Sequence, residues 1–543
     1  MPQYASVDEV RPSSLPRDFN RPRLNSFEHF ADSFSRAQSF RAMGGLNRAR
    51  SFFQENEDLE DAAVFEDDDS TDQQPDYLSP LLRTRSRSRS RRRPSYTVPV
   101  EEGSHLLSES EYGSNNLDSE PVIMRKVEDA EGKITTMVVG QSTAPQTIFN
   151  SVNVLIGVGL LSLPLGYMYA GWFMGSVLML TAGMSTVYSA ILLAKCLDTD
   201  PTLVTYADIA YAAFGPQARL YVSALFTIEM LASGVSLMVL FADSCNALFP
   251  SISVTTYKII AFVIMTPTCY LPLRILSFSS ILGIICTVGL VLIVIYTGLT
   301  TSSAPGSLFN PMETNFWPKN WMLVPLSIGI FMAPWGGHAV FPNIYRDMRH
   351  PQKYKKCLAT IYEITFMTDL SMAVLGFLMY GNQITDEVTR NILMTPGCPE
   401  YVSYAITILV ALIPLAKVPL SARPIVSTLD VLFGLNGFPL SKPVKGVSKR
   451  QRLAKFSLRI LVVFVFCLLA IIFPEFDRVI AFGGAALCVT TCLVLPFIFY
   501  LKLYAGRIPP TEKTILYALT VGSAVLGIMG TIWSLIPQKY LGL

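Results

Sequence analysis

The sequence has little charge, and it lacks the motifs of the common enzymes and pumps. Only 15% of its 543 residues are charged, whereas about 25% is usual for soluble globular domains. The nine cysteines form no CxxC pair and no Cys/His spacing that would hold a metal. Neither a Walker loop nor a Ser/His/Asp constellation is present. We therefore expect no ATP-driven pump, no catalytic residue, no metal site and no bound cofactor.

Long apolar runs dominate the chain from residue 145 onward. Hydrophobic residues make up 51% of the chain, and the mean hydropathy is +0.40. Eleven runs come near or above the ~20 residues that cross a bilayer, at about 147–167, 171–195, 218–247, 256–274, 276–301, 322–345, 356–380, 400–424, 454–474, 478–501 and 514–536. The sequence therefore predicts an all-α multi-pass membrane domain over 145–543, with eleven transmembrane helices in contact with lipid.

Positive charge is divided unevenly between the two sets of loops. One set holds most of the Lys and Arg, while the opposite set holds only Lys258, Lys319, Arg390, Arg478 and Lys539. Because cytosolic loops carry the excess, we expect a cytosolic N-terminus and, with an odd number of spans, a lumenal C-terminus. Cys245 and Cys398 fall near the ends of spans on the same side of the membrane. They could form a disulfide, or they could be small buried hydrophobic residues.

Residues 1–144 are predicted to form a disordered cytosolic tail, since they are rich in Ser, Arg, Asp, Glu and Pro without apolar periodicity. The stretches "SFSRAQSFRAM" and "RTRSRSRSRRRPS" suit basophilic kinases, although a solvated, self-repelling tail explains them equally. We expect no nucleic-acid partner. The stretch "EGSHLL" at 102–107 has the dileucine pattern that sorting adaptors bind, although so short a match also arises by chance.

Two spans contain helix breakers at equivalent places. "LIGVGLLSLPLGY" in the first span contains Gly157, Gly159 and Pro164, and "GIFMAPWGGHAVFPNIYRDM" in the sixth contains two prolines and two adjacent glycines. Five spans separate the breaks, so 146–301 and 322–501 read as inverted repeats, with 514–536 as an extra helix. Inverted repeats with broken helices are typical of secondary transporters. The alternative is that the glycines only let helices pack closely.

Broken helices expose backbone N–H groups at one half-helix end and carbonyl groups at the other. A zwitterionic α-amino acid carries a carboxylate and an ammonium group that match these two ends. The predicted substrate-binding residues are Gly157, Val158, Gly159, Phe331, Pro334, Trp335, Gly336, Gly337 and His338.

The stretches "NSVNVLIGVGLLSLPLGYMYAGW" and "GGHAVFPNIYRDM" resemble the amino acid/auxin permease family, in particular its fungal vacuolar amino-acid transporter branch. The resemblance runs from about Thr147 to the last span. It implies a LeuT-like fold of ten core helices plus one, and proton-coupled transport of amino acids. It also implies exchange for protons across the membrane of an acidic compartment.

Four ionisable residues inside the spans are candidates for function, because such groups are costly in lipid. Glu229 shares a helical face with Ser233 and Ser236. Its role would be either that of a proton carrier or that of a structural hydrogen-bonding partner. In a LeuT-like fold, Lys417 would lie where sodium-coupled relatives hold their ion. The alternative is that its side chain extends to the cytosolic membrane interface. His338 is either a titrating group or a neutral partner of freed backbone groups. Asp369, beside Thr368 and Ser371, is the weakest candidate.

Polar residues also open the first span. Asn150, Ser151 and Asn153 would either satisfy backbone groups freed by the break or line the cytosolic entrance.

Taken together, these features predict a proton/amino-acid antiporter that loads neutral amino acids into the vacuole. Its driving force would be the proton gradient, and Glu229, Lys417 and His338 would couple it to transport. A plasma-membrane proton symporter and an amino-acid-sensing receptor remain as alternatives.

Overall fold

The computed structural model describes residues 33–34, 124–128, 134–138 and 140–541, except 201, 272, 397 and 434–448. Most of the predicted tail, including the dileucine pattern at 102–107 and the Arg/Ser run, lies outside these residues. Besides residues 140–144, which lead into the first helix, two parts of the tail are described. One is a pair of residues at 33–34, and the other is a β-hairpin that the sequence analysis did not predict.

The hairpin pairs β1 (Met124–Glu128) with β2 (Ile134–Val138) in antiparallel register, with Met124 opposite Val138 and Glu128 opposite Ile134. β2 has the sequence ITTMV, in which β-branched residues favour an extended backbone.

All other α-helices and helical turns of the described chain lie between residues 144 and 541, and loops connect them. In chain order, the α-helices are α1 (Ala144–Leu155), α2 (Leu163–Leu197), α3 (Tyr206–Phe214), α4 (Pro216–Leu248), α5 (Val254–Thr268), α6 (Leu273–Thr300), α7 (Val324–Met332), α8 (Phe341–Arg346), α9 (Tyr354–Tyr380), α10 (Val388–Met394), α11 (Glu400–Leu432), α12 (Lys449–Ile472), α13 (Phe476–Phe482), α14 (Leu495–Leu503), α15 (Pro510–Leu535) and α16 (Gln538–Leu541). The 3₁₀ segments Val158–Ser162 and Ala333–Trp335 and the π-helical segments Gly483–Cys488 and Thr490–Val494 interrupt this series.

The predicted all-helical multi-pass fold is confirmed. Among the described residues, eight helices are long and apolar enough to cross a membrane, and Val254–Thr268 and Trp321–Trp335 are shorter apolar helices. One of the eight, Val158–Leu197, contains a turn at Gly171, which has φ 69° and ψ 173°. This turn ends the first predicted span and begins the second, so each of the eleven predicted runs contains helix.

Gly171 is required at this turn for two reasons. Its φ is positive, which L side chains rarely adopt. A Cβ there would also lie 2.7 Å from the carbonyl carbon of Trp317. The loop that contains Trp317 approaches so closely because the amides of Trp172 and Phe173 donate to the carbonyls of Asn315 and Phe316, each at 3.0 Å.

The interrupted spans lie inside the bundle, and the extra helix lies outside it. α4 packs against α11, α9 packs against α1 and α2, and α7 packs against α2 and the π-helical segment Gly483–Cys488. Only 17% of the most apolar stretch of α15 is buried inside the protein, whereas 61% of the corresponding stretch of Phe476–Leu503 is buried. This peripheral position agrees with an extra helix added to a ten-helix core.

The predicted disulfide alternative is not realised. Cys245 and Cys398 are both free and half-buried.

Candidate functional site

The first span is broken at its middle, as predicted. α1 ends at Leu155, and Gly157 is extended, with φ −126° and ψ −172°, before the 3₁₀ segment Val158–Ser162 begins. The amide of Ile156 still donates to the carbonyl of Val152 at 2.8 Å. The last carbonyls of α1 lie beyond the helical hydrogen-bond pattern and need other partners.

The sixth span is broken at the corresponding place. α7 ends at Met332, the 3₁₀ segment Ala333–Trp335 follows, and Gly336 leaves the helix with φ −68° and ψ 68°. The chain returns to α-helix only at Phe341, where α8 begins.

The two breaks face each other across a cavity. A Cβ at Gly159 would lie 3.4 Å from the Ala333 Cβ and from the Pro334 nitrogen. The cavity has a volume of about 200 Å³. Its walls from these two spans are Asn153, Val154, Leu155, Gly157, Val158, Gly159, Ala333, Pro334, Gly336, Ala339 and Val340.

Five of the nine predicted substrate-binding residues line this cavity: Gly157, Val158, Gly159, Pro334 and Gly336. The other four, which are Phe331, Trp335, Gly337 and His338, have different surroundings. Phe331 packs edge-on against Tyr167, with ring centroids 5.2 Å apart. Trp335 stacks on Tyr362 at 5.2 Å, with an interplanar angle of 3°.

His338 is completely buried against α2. Its Nε2 lies 2.9 Å from the Ser189 Oγ and 3.1 Å from the Thr186 carbonyl oxygen. These contacts are those of a histidine that joins the sixth span to α2, and they orient the ring toward α2.

Lys417 on α11 reaches the end of α1. Its ammonium donates a close hydrogen bond to the Ile156 carbonyl and lies 3.5 Å from the Asn153 carbonyl oxygen. Lys417 also lines the cavity. A cation at this position is favourable because the C-terminal end of a helix carries partial negative charge.

Glu229 on α4 faces the break in the sixth span. A Cβ at Gly336 would lie 3.4 Å from the Glu229 Oε1, and the Cys488 thiol donates to the same oxygen at 3.9 Å. Ser233 and Ser236 line the cavity on the same face of α4, as their spacing predicts. Glu229 and Lys417 therefore place a carboxyl group and an amine on the walls of one cavity.

Asp369 lies away from this cavity. It is 1% exposed, and neither carboxylate oxygen has a hydrogen-bond partner among the residues that the structure describes. Asp369 is buried inside the bundle, but Thr368 and Ser371 do not share its buried face. Thr368 and Ser371 donate instead to carbonyls of their own helix, at its more exposed surface.

The tenth span also contributes to the cavity, which the sequence motifs did not predict. Val479, Ile480, Gly483, Gly484, Leu487 and Cys488 form one wall of the cavity. Here the helix is π-helical, a form that is frequent at functional sites. A Cβ at Gly484 would lie 1.8 Å from the Gly329 carbonyl oxygen, so a glycine lets this span contact α7 backbone to backbone. The adjacent pair Gly483 and Gly484 was the available signal.

A family model described as "Transmembrane amino acid transporter protein" matches residues 140–537, which is well over half of the chain. The chain belongs to this family. The resemblance that the sequence indicated is thereby confirmed. The match begins just before α1 and includes both broken spans and every residue that lines the cavity.

Similar proteins include amino acid transporter AVT1E of Arabidopsis thaliana, which is 29% identical over 401 residues. This match covers 72% of each of the two chains. Amino acid transporter AVT1J of the same plant is 27% identical over 428 residues, covering 76% of this chain and 96% of that relative. A Na⁺-coupled sialic acid symporter of known structure is 13% identical, with coverage of 72% of this chain and 89% of the symporter. Its TM-score of 0.44 is too low to support an argument.

Proposed function

We propose that this family member is a proton-coupled antiporter that loads neutral amino acids into an acidic vacuole or lysosome-like compartment. The observation that carries the proposal is the cavity between the two broken spans, with Lys417 on one wall and Glu229 on another. Its volume of about 200 Å³ is below the ~300–1,000 Å³ of pockets for drug-sized ligands. This size suits a small solute.

The cavity offers two ends of opposite charge to a zwitterion. The Lys417 ammonium lies beside the Ile156 carbonyl, next to the start of the second half of the first span, where N–H groups are exposed. A substrate carboxylate would bind at this end. The substrate ammonium would bind near Glu229 and the carbonyl groups of the break that contains Gly336.

This arrangement favours exchange over symport. The Glu229 carboxylate binds an ammonium group when it is ionised and loses that attraction when it is protonated. In an acidic lumen, protonation of Glu229 would release the amino acid there. In the neutral cytosol, loss of the proton would restore binding. Each cycle would then move one amino acid into the lumen and protons out of it. The direction assumes the cytosolic N-terminus that the charge bias of the loops predicts.

The test is uptake of radiolabelled neutral amino acids into proteoliposomes with an acidic interior, with and without a protonophore. We expect accumulation that the protonophore abolishes and that Glu229→Gln loses. Glu363→Gln is the matched control, because Glu363 is on an exposed face of α9.

Three outcomes would contradict the proposal. Accumulation by Glu229→Gln that still follows the pH gradient would refute the role of Glu229. Uptake that requires acid on the outside would indicate a symporter, and saturable binding without flux would indicate a receptor.

A further inference from the structure

Two adjacent residues of the N-terminal tail are buried, and the first of them is hydrogen-bonded to the transmembrane domain. Ser33 is 0% exposed and Phe34 is 1% exposed. The Ser33 Oγ lies 2.5 Å from the Ser142 Oγ, and the Asn150 amide donates to the Ser33 Oγ at 2.8 Å. These contacts join residues that are 109 and 117 positions apart in the sequence.

The hydrogen bonds form a directed chain. Ser142 donates its hydroxyl proton to the Asp347 carboxylate, so its oxygen accepts from Ser33. Ser33 in turn accepts from Asn150. Each serine hydroxyl thus donates once and accepts once, and the chain ends on a carboxyl oxygen of Asp347. Ser33 is therefore held in a site that matches its hydroxyl group.

This site lies where the first and sixth spans are tied together. The amides of Gln141 and Ser142 donate to the Asp347 carbonyl at 2.9 and 2.6 Å, and the Arg349 amide donates to the Ser142 carbonyl at 2.8 Å. We call these four residues the clasp. It joins the segment before α1 to the segment after α8, at the ends that the charge bias assigns to the cytosol.

The site that holds Ser33 is close to the cavity. Asn150, which binds Ser33, and Asn153, which lines the cavity, are three residues apart on α1. Residues at this spacing share a helix face and lie about 4.5 Å apart along the axis. Ser33 therefore lies within about one helical turn of the cavity on the cytosolic side.

We propose that Ser33 and Phe34 form an inhibitory seat, which holds the clasp closed and blocks the cytosolic route to the cavity. Release of the seat lets the ends of the first and sixth spans separate. The inference rests on the proposed function in one respect, because it assigns a transport route to this end of the cavity. The tail is then an intramolecular ligand of its own transport domain.

Cysteine cross-linking tests whether the seat lies against the clasp. In the full-length chain, Ser33→Cys/Ser142→Cys should form a disulfide under mild oxidation, identified by peptide mapping. The control pair is Ser108→Cys/Ser142→Cys. Position 108 is closer to 142 along the chain, so an unbound tail would cross-link it more readily. Preference for position 33 supports the seat, and equal or greater cross-linking at position 108 overturns it.

Labelling of Cys488 tests whether the seat closes the route, and it does not depend on transport. Cys488 is a native thiol that lines the cavity. A membrane-impermeant methanethiosulfonate is added to vesicles whose tail faces the bath, and labelled Cys488 is quantified by mass spectrometry. Ser33→Asp places a second carboxylate beside Asp347 and should release the seat. Ser35→Asp adds the same charge two positions away.

We expect Ser33→Asp to label Cys488 about tenfold faster than wild type, because loss of the hydrogen-bond chain shifts a two-state population by about this factor. Ser35→Asp should label at the wild-type rate. Equal rates in wild type and Ser33→Asp, or equal acceleration by both variants, would overturn the seat. Faster labelling by Ser33→Asp alone, with no amino-acid flux in any variant, would leave the seat standing and refute the proposed transport function.

Discussion

Lys417→Ala is the substitution that tests the cavity most directly. The ammonium of Lys417 is a hydrogen-bond donor to the Ile156 carbonyl and lies near the Asn153 carbonyl, both at the C-terminal end of α1. Alanine removes the donor and the positive charge together. The carbonyls at the break would then face the cavity without a cation, and the substrate carboxylate would lose a nearby positive charge.

The size of the effect follows from the contacts that are lost. A hydrogen bond to a charged group contributes about 1.5–3 kcal/mol, which corresponds to about one to two orders of magnitude in a rate or binding constant. Water that enters the cavity would replace part of this interaction. We therefore expect Lys417→Ala to lower saturable flux by about 10-fold or more.

Lys258 provides a matched control for this experiment. Its Nζ donates to the Ala470 carbonyl at 2.7 Å, in the last turn of α12, and it does not line the cavity. Both lysines therefore cap the carbonyl end of a helix, but only Lys417 lies at the candidate site. Lys258→Ala should lower thermal stability without a comparable loss of flux per folded protein.

The assay combines radiolabelled amino-acid flux in proteoliposomes with thermal unfolding in detergent. Wild-type flux in Lys417→Ala would refute the role assigned to this ammonium. Equal loss of flux per folded protein in both alanine variants would show that capping of helix ends, rather than charge in the cavity, accounts for the effect.

Two further predictions follow from other positions. Gly336→Leu should abolish saturable binding, because even its Cβ would lie 2.8 Å from the Cys488 Sγ in the cavity wall. The control is Gly522→Leu, which has open space around it and should bind normally. Saturable binding by Gly336→Leu would argue against this cavity. Burial, and then the charges of two neighbouring aspartates, raises the pKa of Glu387, in the loop between α9 and α11, well above its usual value. The folded protein favours the protonated carboxyl group of Glu387. The stability that this preference contributes is fully present below the ordinary pKa of about 4.3 and is lost as pH rises through the raised pKa. Glu387→Gln should therefore lose less thermal stability than wild type between pH 4.5 and pH 8, and parallel curves would contradict this.

The sequence was sufficient for the main features of the transmembrane domain. The breaks in the first and sixth spans were predictable because glycine and proline weaken a helix, and both kinds of residue cluster at equivalent places in these two spans. The cavity-facing side of α4 was predictable because Glu229, Ser233 and Ser236 lie in a regular helix, where spacing determines which residues share a face. The family was predictable from the motifs around both breaks.

Tertiary structure alone decided where side chains point once the helix is interrupted. His338 and Trp335 follow the break in the sixth span, where backbone dihedrals depend on packing and no helical period applies, and both turn toward neighbouring helices instead of the cavity. The wall from the tenth span depends on a close backbone contact between Gly329 and Gly484. The site that holds Ser33 depends on contacts across more than one hundred residues. Such long-range contacts are set by the packed chain as a whole, and local sequence patterns do not encode them.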